Sequence, residues 1–137
     1  MQWDDSPNAG FTTGTTPWMR VHDNYKEVNA ASQVNDPTSI YHTYRQVLEN
    51  RKKYKDIFIY GDFNLVDEAN DKIFAYDRTA ANGDKALVVC NFSADTISWS
   101  WDGKAKKVLI SSADKKTDDV NGGKIQLGPY ESLTFLL

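Results

Sequence analysis

The order of hydrophobic and polar positions divides the chain into three unlike stretches. Residues 1–35 follow neither the period of a helix nor that of a strand, although the segment "MQWDDSPNAGFTTGTTPW" carries two tryptophans. A tryptophan side chain contributes stability only where its ring is buried. We therefore expect residues 1–35 to form a long loop whose aromatic side chains pack on another part of a fold.

The segment "DPTSIYHTYRQVLENRKKY" has helical periodicity and predicts a helix from Pro37 to Tyr54. Asp36 suits the N-cap, and proline suits the first helical position. One side of this helix carries four large apolar side chains and an arginine, namely Ile40, Tyr44, Val47, Leu48 and Arg51. Such an apolar stripe requires a partner, and no other segment of the chain has a clear helical pattern.

From Asp56 onward the period changes to two, which is typical of strands. The segments with this pattern are "IFIYGDF", "KIFAYDR", "KALVVCNF", "TISWSW", "KKVLIS", "KIQL" and "ESLTFLL". Turn signals separate several of them, such as "NGD" at Asn82–Asp84 and "NGG" at Asn121–Gly123. The pattern predicts a mainly β fold, an antiparallel β-sandwich with Greek-key-like connections, preceded by the loop and the helix.

Two tryptophans alternate in the fourth of these segments. Trp99 and Trp101 share one face of the predicted strand with Ile97. Aligned aromatic rings can form a platform on which a sugar stacks, whereas the same face of a sandwich strand is more often core. The sequence leaves both interpretations open: a possible sugar platform at Trp99 and Trp101, or core packing.

The composition argues against several kinds of site and partner. The net charge of −3 gives no positive field for nucleic acid or an anionic membrane, and no apolar run approaches the roughly 18 residues of a membrane span. One cysteine and two distant histidines do not suggest a zinc site, and no phosphate-binding glycine loop occurs. We expect no metal, no cofactor, no nucleic-acid partner and no membrane partner. The lack of a basic and apolar leader predicts a cytoplasmic protein.

Four segments together carry a resemblance to known proteins: "MQWDDSPNAGFTTG", "PWMRVHDNYKEVNAASQ", "DPTSIYHTYRQVLENRKKY" and "LGPYESLTFLL". They resemble the C-terminal part of α-glucosidases of the α-amylase superfamily (glycoside hydrolase family 13). The maltase and oligo-1,6-glucosidase (isomaltase) type is the most similar, and fungal members most of all. The resemblance covers essentially the whole chain.

This resemblance implies an architecture. Family members have a catalytic (β/α)8 barrel followed by a small antiparallel β-sandwich. Residues 1–55 would be a remnant of the barrel, made of the loop after its eighth strand and its final helix. Residues 56–137 would be the C-terminal β-sandwich domain. The partner of the helix would be the missing catalytic barrel of a truncated protein.

The resemblance also implies an activity for the parent protein, the hydrolysis of terminal α-glucosidic bonds in oligosaccharides of the maltose, isomaltose or sucrose type. The three carboxylates that the family uses all precede the residue matched by Met1, so no catalytic residue is assigned and the isolated chain is expected to be inactive. Its expected role is scaffolding and barrel-capping. Gln2, Trp3 and Asp4 are candidates for the rim of the substrate site.

Two other functions are compatible with the sequence. The chain could be an autonomous carbohydrate-binding β-sandwich module that uses Trp99 and Trp101. It could also be an interaction subunit without a barrel. Saturable binding of an oligosaccharide by the isolated chain would favour the first of these.

Overall fold

The computed structural model describes residues 1–137 and divides them into two compact units, Met1–Leu48 and Glu49–Leu137. The helices are α1 (Ala30–Asn35), α2 (Ile40–Lys53) and α3 (Lys55–Phe58). The strands are β1 (Asp62–Val66), β2 (Ile73–Thr79), β3 (Lys85–Asn91), β4 (Ile97–Ser100), β5 (Lys107–Ser111), β6 (Lys124–Leu127) and β7 (Ser132–Leu136). No helix has both the length and the apolar character that crossing a membrane would require.

All seven strands lie in the second unit and form two antiparallel sheets. The larger sheet has the order β1-β2-β3-β7-β5, and the smaller one pairs β4 with β6. The last strand therefore lies inside the larger sheet, between β3 and β5. This arrangement confirms the mainly β fold and the antiparallel sandwich that the period of two predicted.

The inward faces of the two sheets share one hydrophobic core. On the larger sheet, every second register pair of β3 and β7 has both members buried, because alternate side chains of a strand point to the same face. Buried side chains of β4 and β6 complete the core from the other sheet. Its members from these four strands are Leu87, Val89, Leu133, Phe135, Trp99, Ile125 and Leu127.

The helix α2 begins later than the sequence predicts. Asp36 does not cap it, because the Asp36 carboxylate accepts hydrogen bonds from the backbone and hydroxyl of Thr38 and closes a separate turn. The first helical N–H groups have other partners: Gln33 Oε1 accepts from the N–H of Tyr41 at 3.1 Å, and the Ser39 hydroxyl accepts from that of His42 at 3.4 Å. The helix therefore runs from Ile40 to Lys53 instead of from Pro37 to Tyr54.

Two further elements differ from the sequence-based prediction. Residues 30–35, expected to be loop, form α1, whose N-cap Asn29 accepts from the N–H of Ser32 at 2.8 Å. The first half of "IFIYGDF", predicted as strand, forms the end of α3 and a turn. Ile57 of α3 is buried against Ala80 and Ala86, so the apolar side chains of this segment serve a helix.

The division of the chain at residues 55 and 56 stays a prediction. The boundary between the two compact units falls at Leu48 and Glu49, within α2, and the last turn of that helix belongs with the sandwich. In this second unit the side-chain amide of Asn50 donates to the carbonyl oxygen of Leu109 in β5 at 3.4 Å.

Candidate functional site

The segment Gln2–Asp4 is held in place by its backbone. The carbonyl oxygens of Gln2 and Trp3 accept hydrogen bonds from the N–H groups of Ala30 and Ala31 at 2.8 and 2.9 Å. These donors lie in the first turn of α1, where N–H groups have no partner inside the helix. The start of the loop is thus docked on the N-terminus of a helix whose own N-cap, Asn29, is buried.

The loop turns back on itself through three consecutive residues with left-handed backbone. Asn8, Ala9 and Gly10 have φ values of 62°, 52° and 72°. A non-glycine residue in this region costs about 1–2 kcal/mol, so surrounding contacts must hold it. Ala9 is completely buried, and its carbonyl oxygen accepts from the N–H of Trp3 at 3.0 Å. Packing at Ala9 therefore fixes the backbone that presents Trp3.

Replacing Gly10 by alanine is expected to destabilise the first unit by about 2 kcal/mol. A Cβ atom at Gly10 would lie 2.9 Å from a carboxylate oxygen of Asp4 and 3.0 Å from the Cβ of Trp3. The rate of amide hydrogen exchange of the residues around each substituted position measures the effect. Gly83→Ala is the matched control, since its φ is also positive, at +90°, but no atom lies within 4 Å of the added Cβ. Equal effects of the two substitutions would refute the close approach.

The side chains of the three rim candidates differ in their surroundings. The amide of Gln2 donates to Oδ1 of Asn24 at 2.7 Å, and the Trp3 side chain is 56% exposed. The hydroxyl and backbone N–H of Ser6 bond to the Asp4 carboxylate and hold its pKa below the usual range. Asp4 is therefore an ionised acceptor at neutral pH, and its Oδ1 already accepts two hydrogen bonds from Ser6.

The segment "RVHDNY" divides its polar side chains between two separate pairs. Arg20 pairs with Asp23 at 2.8 Å on an exposed turn. His22 belongs to the other pair, with Nδ1 2.7 Å from Oδ1 of Asn24. The histidine thus joins the hydrogen bond of Gln2 and helps to fix the loop, which is a structural role.

Trp99 and Trp101 lie in the sandwich and have different environments. Trp99 is 4% exposed, because the inward face of β4 packs on the core, and its indole Nε1 donates to Oδ2 of Asp67 at 2.9 Å. Trp101 is half-buried, and its ring meets that of Phe135 edge-on at 5.0 Å between centroids. Trp99 therefore offers no open ring face to a sugar, and the core interpretation applies to it. The link to Asp67 was not visible in the sequence.

The remaining ionisable groups do not assemble into a metal site or a nucleophile. No group of three or more histidine, cysteine or carboxylate side chains could hold a metal ion. Burial raises the pKa of the Cys90 thiol, which favours its unreactive protonated form.

Two family models match the chain. Residues 1–61 match the catalytic domain of α-amylases, and residues 73–133 match the C-terminal domain of the α-amylase SusG. The boundary region between the two matches, residues 62–72, contains β1 and the loop that follows it. One chain therefore matches a catalytic domain in its first part and a C-terminal domain in its second part.

Known proteins are similar along the whole chain. An oligo-1,6-glucosidase of Parageobacillus thermoglucosidasius is 40% identical over 140 residues, which cover 98% of this chain and 24% of that protein. An α-glucosidase of Schizosaccharomyces pombe is 38% identical over 138 residues, which cover 100% of this chain and 24% of that protein. A bacterial and a fungal relative are thus about equally similar.

A solved structure has the same fold. The trehalulose synthase MutB from Pseudomonas mesoacidophila MX-45 matches with a TM-score of 0.86 at 36% identity, over 98% of this chain and 24% of that one. The chain spans about a quarter of the length of these relatives. The family models agree with the relatives that are similar along the whole of this chain. The chain therefore belongs to the α-amylase family of glycoside hydrolases (glycoside hydrolase family 13).

Proposed function

We propose that this chain is the C-terminal part of an α-glucosidase that hydrolyses terminal α-glucosidic bonds of short oligosaccharides. The observation that carries the proposal is the order of the two matches, catalytic domain first and C-terminal domain second, within one chain. The names of the relatives, oligo-1,6-glucosidase and α-glucosidase, give the substrate class. An inactive double mutant of MutB was solved in complex with isomaltulose, a disaccharide.

The chain contributes scaffold to this enzyme and no catalytic carboxylate. Retaining hydrolysis needs two carboxyl groups about 5–5.5 Å apart, one as nucleophile and one as acid and base. By the family resemblance these groups lie on barrel strands ahead of the matched segment. The 137-residue chain by itself is therefore inactive. Residues 1–55 belong to the barrel and residues 56–137 form the C-terminal domain.

The exposed side of α2 is the surface that the rest of the barrel covers. Ile40, Tyr44 and Leu48 are 70%, 68% and 60% exposed. Burying a large apolar side chain stabilises a fold by about 1.5–3 kcal/mol, and these three side chains do not contribute that free energy while they lie in water. The Trp18 side chain is likewise 98% exposed. A catalytic barrel packed on these residues accounts for an apolar stripe that has no partner within the chain.

The segment Gln2–Asp4 lies at the rim of the substrate site of the complete enzyme. Its backbone is bonded to α1, and the left-handed turn at Asn8–Gly10 holds it from the other side. A rigid loop with the exposed side chain of Trp3 suits a wall beside a sugar, because an indole offers apolar area next to a polar N–H group.

The parent enzyme works in the cytoplasm. Two features of this chain support that location. Its only cysteine is half-buried and free, so no disulfide stabilises the fold. The sequon "NFS" begins with Asn91, whose side chain is 2% exposed and bonded to Ser93 and Gly128, so the folded protein offers no amide there for glycosylation.

A chimeric enzyme tests the proposed function. The final quarter of the Schizosaccharomyces pombe α-glucosidase is replaced by this chain, joined at Met1, and hydrolysis of p-nitrophenyl α-glucoside is measured. We expect kcat/KM within about tenfold of that relative. The same relative truncated at the joint, and the 137-residue chain alone, should both be inactive. Turnover by the purified chain alone would overturn the proposal.

Two additions make the chimera decisive. Tyr44→Asp places a charge on the apolar side of α2 and should abolish soluble, active enzyme, whereas Lys53→Asp, on the opposite side of the helix, should not. If the fungal chimera does not fold, the same joint in the Parageobacillus oligo-1,6-glucosidase provides the second measurement. Folded but inactive chimeras of both relatives would contradict the proposal.

A further inference from the structure

A groove of about 520 Å³ lies in the sandwich between the loop after β1 and the strand β4. Its wall includes two carboxylates, two hydroxyls and the half-buried indole, from Asp67, Asp102, Ser98, Ser100 and Trp101. A volume of several hundred Å³ is typical of a small-molecule site. All of these residues belong to the second compact unit.

The carboxylate of Asp67 is held with one oxygen free. Its Oδ2 accepts from the indole Nε1 of Trp99 at 2.9 Å and from the side-chain amide of Asn70 at 2.8 Å. Oδ1 has no hydrogen-bond partner in the protein. Asp67 also has a left-handed backbone, with φ of 58°. Both donors fix the orientation of the group, so Oδ1 is a preorganised acceptor in the wall of the groove.

The strand β4 adds an open backbone edge. It pairs with β6 alone, so its other edge has no neighbouring strand. The N–H of Trp101 donates to the carbonyl oxygen of Gly123 at 3.0 Å. In the register of β4 and β6, Trp99 and Ile97 therefore also belong to hydrogen-bonded pairs, whose backbone groups point toward β6. Because such pairs alternate along an antiparallel ladder, the backbone groups of Ser98 and Ser100 point to the open edge. The groove therefore offers donors as well as acceptors.

The indole of Trp101 is held by two contacts. Its ring meets Phe135 edge-on, and Gly103 lies so close that an added Cβ would be 2.4 Å from a ring carbon. The glycine thus lets the indole lie flat against the backbone while the ring still lines the groove. Fixed aromatic surface beside polar groups is the combination that recognises the apolar face of a sugar ring.

We propose that this groove binds a neutral oligosaccharide of the α-glucan class, with Asp67 accepting from sugar hydroxyls and Trp101 providing the apolar contact. The ligand class rests on the proposed function. No lysine or arginine lines the groove, and Asp67 and Asp102 give it negative charge, which disfavours phosphorylated sugars. Trp99 is a positioning residue here, because its ring is buried and its N–H orients Asp67.

The test is a titration of the 137-residue chain with maltotriose, isomaltotriose and the β-linked cellotriose, followed by amide and indole N–H shifts in NMR spectra. We expect saturable shifts at Ser98, Ser100 and Trp101 with an α-linked sugar, at a dissociation constant in the millimolar range, about 1–10 mM. Asp67→Asn should weaken binding about tenfold, since a charge-assisted hydrogen bond is lost. Asparagine suits the left-handed backbone and keeps an acceptor for Trp99, so the fold is retained.

Asp71→Asn is the matched control, because it removes an exposed carboxylate of the same region that does not line the groove. It should leave the affinity within about twofold. Absence of saturable shifts with all three sugars would overturn the site while leaving the activity of the chimeric enzyme untouched. Binding of cellotriose alone would overturn the α-glucan assignment, and equal affinity of the Asp67→Asn variant would overturn the role of Asp67.

Discussion

Replacing Lys115 by methionine is expected to lower the free energy of unfolding of the sandwich by about 3 kcal/mol. Lys115 Nζ pairs with Oε1 of Glu131, and the side chain of Glu131 is only 4% exposed. The other oxygen of Glu131 accepts from the N–H of Gly128 at 2.7 Å. Without the lysine, a buried carboxylate would lack its cation while its position stayed fixed by the turn before β7. Urea unfolding followed by tryptophan fluorescence measures the loss.

Two further variants separate loss of the pair from loss of lysine packing. In the double variant Lys115→Met/Glu131→Gln, the neutral side-chain amide at position 131 still accepts a hydrogen bond from the N–H of Gly128. Most of the lost free energy of unfolding should therefore be recovered. Lys72→Met breaks the pair with Asp95, whose two side chains are 53% and 64% exposed, and should leave the unfolding midpoint unchanged because exposed pairs contribute little. A double variant as unstable as the single one would show that the ion pair is not the cause.

Replacing Asn91 by alanine is expected to cost about 3 kcal/mol. The Asn91 amide donates to the carbonyl oxygens of Asp95 and Gly128 at 2.7 and 2.8 Å, and its oxygen accepts from the N–H of Ser93 at 2.9 Å. The substitution leaves these groups without partners at a site that is 2% exposed. It also removes the side-chain bond between the end of β3 and the turn that follows β6, and leaves the backbone N–H of residue 91, which donates to the carbonyl oxygen of Glu131, as the remaining link. Thermal unfolding monitored by circular dichroism measures the effect.

Asn64→Ala is the control for an exposed asparagine. The amide of Asn64 donates to Oδ1 of Asp77 at 3.1 Å on the outer part of the sheet. Because water can replace that bond, the loss should stay below about 0.5 kcal/mol. A similar loss at both positions would mean that the buried hydrogen bonds of Asn91 add nothing beyond those of a surface asparagine.

The strands and their inward faces could be predicted from the sequence, because alternation reports burial directly. Leu87 and Val89 alternate with Val88 and Cys90, which are only half-buried, and the structure buries both Leu87 and Val89. The same rule is ambiguous for short apolar runs. Ile57 and Phe58 read as strand, yet Ile57 is buried as part of a helix against Ala80 and Ala86. That contact joins residues distant in sequence, which no local pattern contains.

The site residues were less predictable for the same reason. Alternation places Trp99 and Trp101 on one face but does not say whether the face is open, and the structure buries only Trp99 deeply. Asp67 attracts no attention in the sequence, where it lies in the turn "VDEAN". Its orientation depends on a bond to Trp99 across 32 positions of chain. The spacing of Asp67 and Asn70 was the one local signal, a turn in which the amide of Asn70 donates to Asp67.

The position of β7 in the larger sheet has a consequence for biosynthesis. This strand is the last in the sequence, yet it lies between β3 and β5 and contributes Leu133 and Phe135 to the core. While the chain emerges from the ribosome, β3 and β5 have no shared neighbour until β7 follows them. The sandwich therefore folds only once synthesis has passed Leu136, and a stop codon anywhere before Ser132 should give a protein that is degraded instead of a shorter, folded domain.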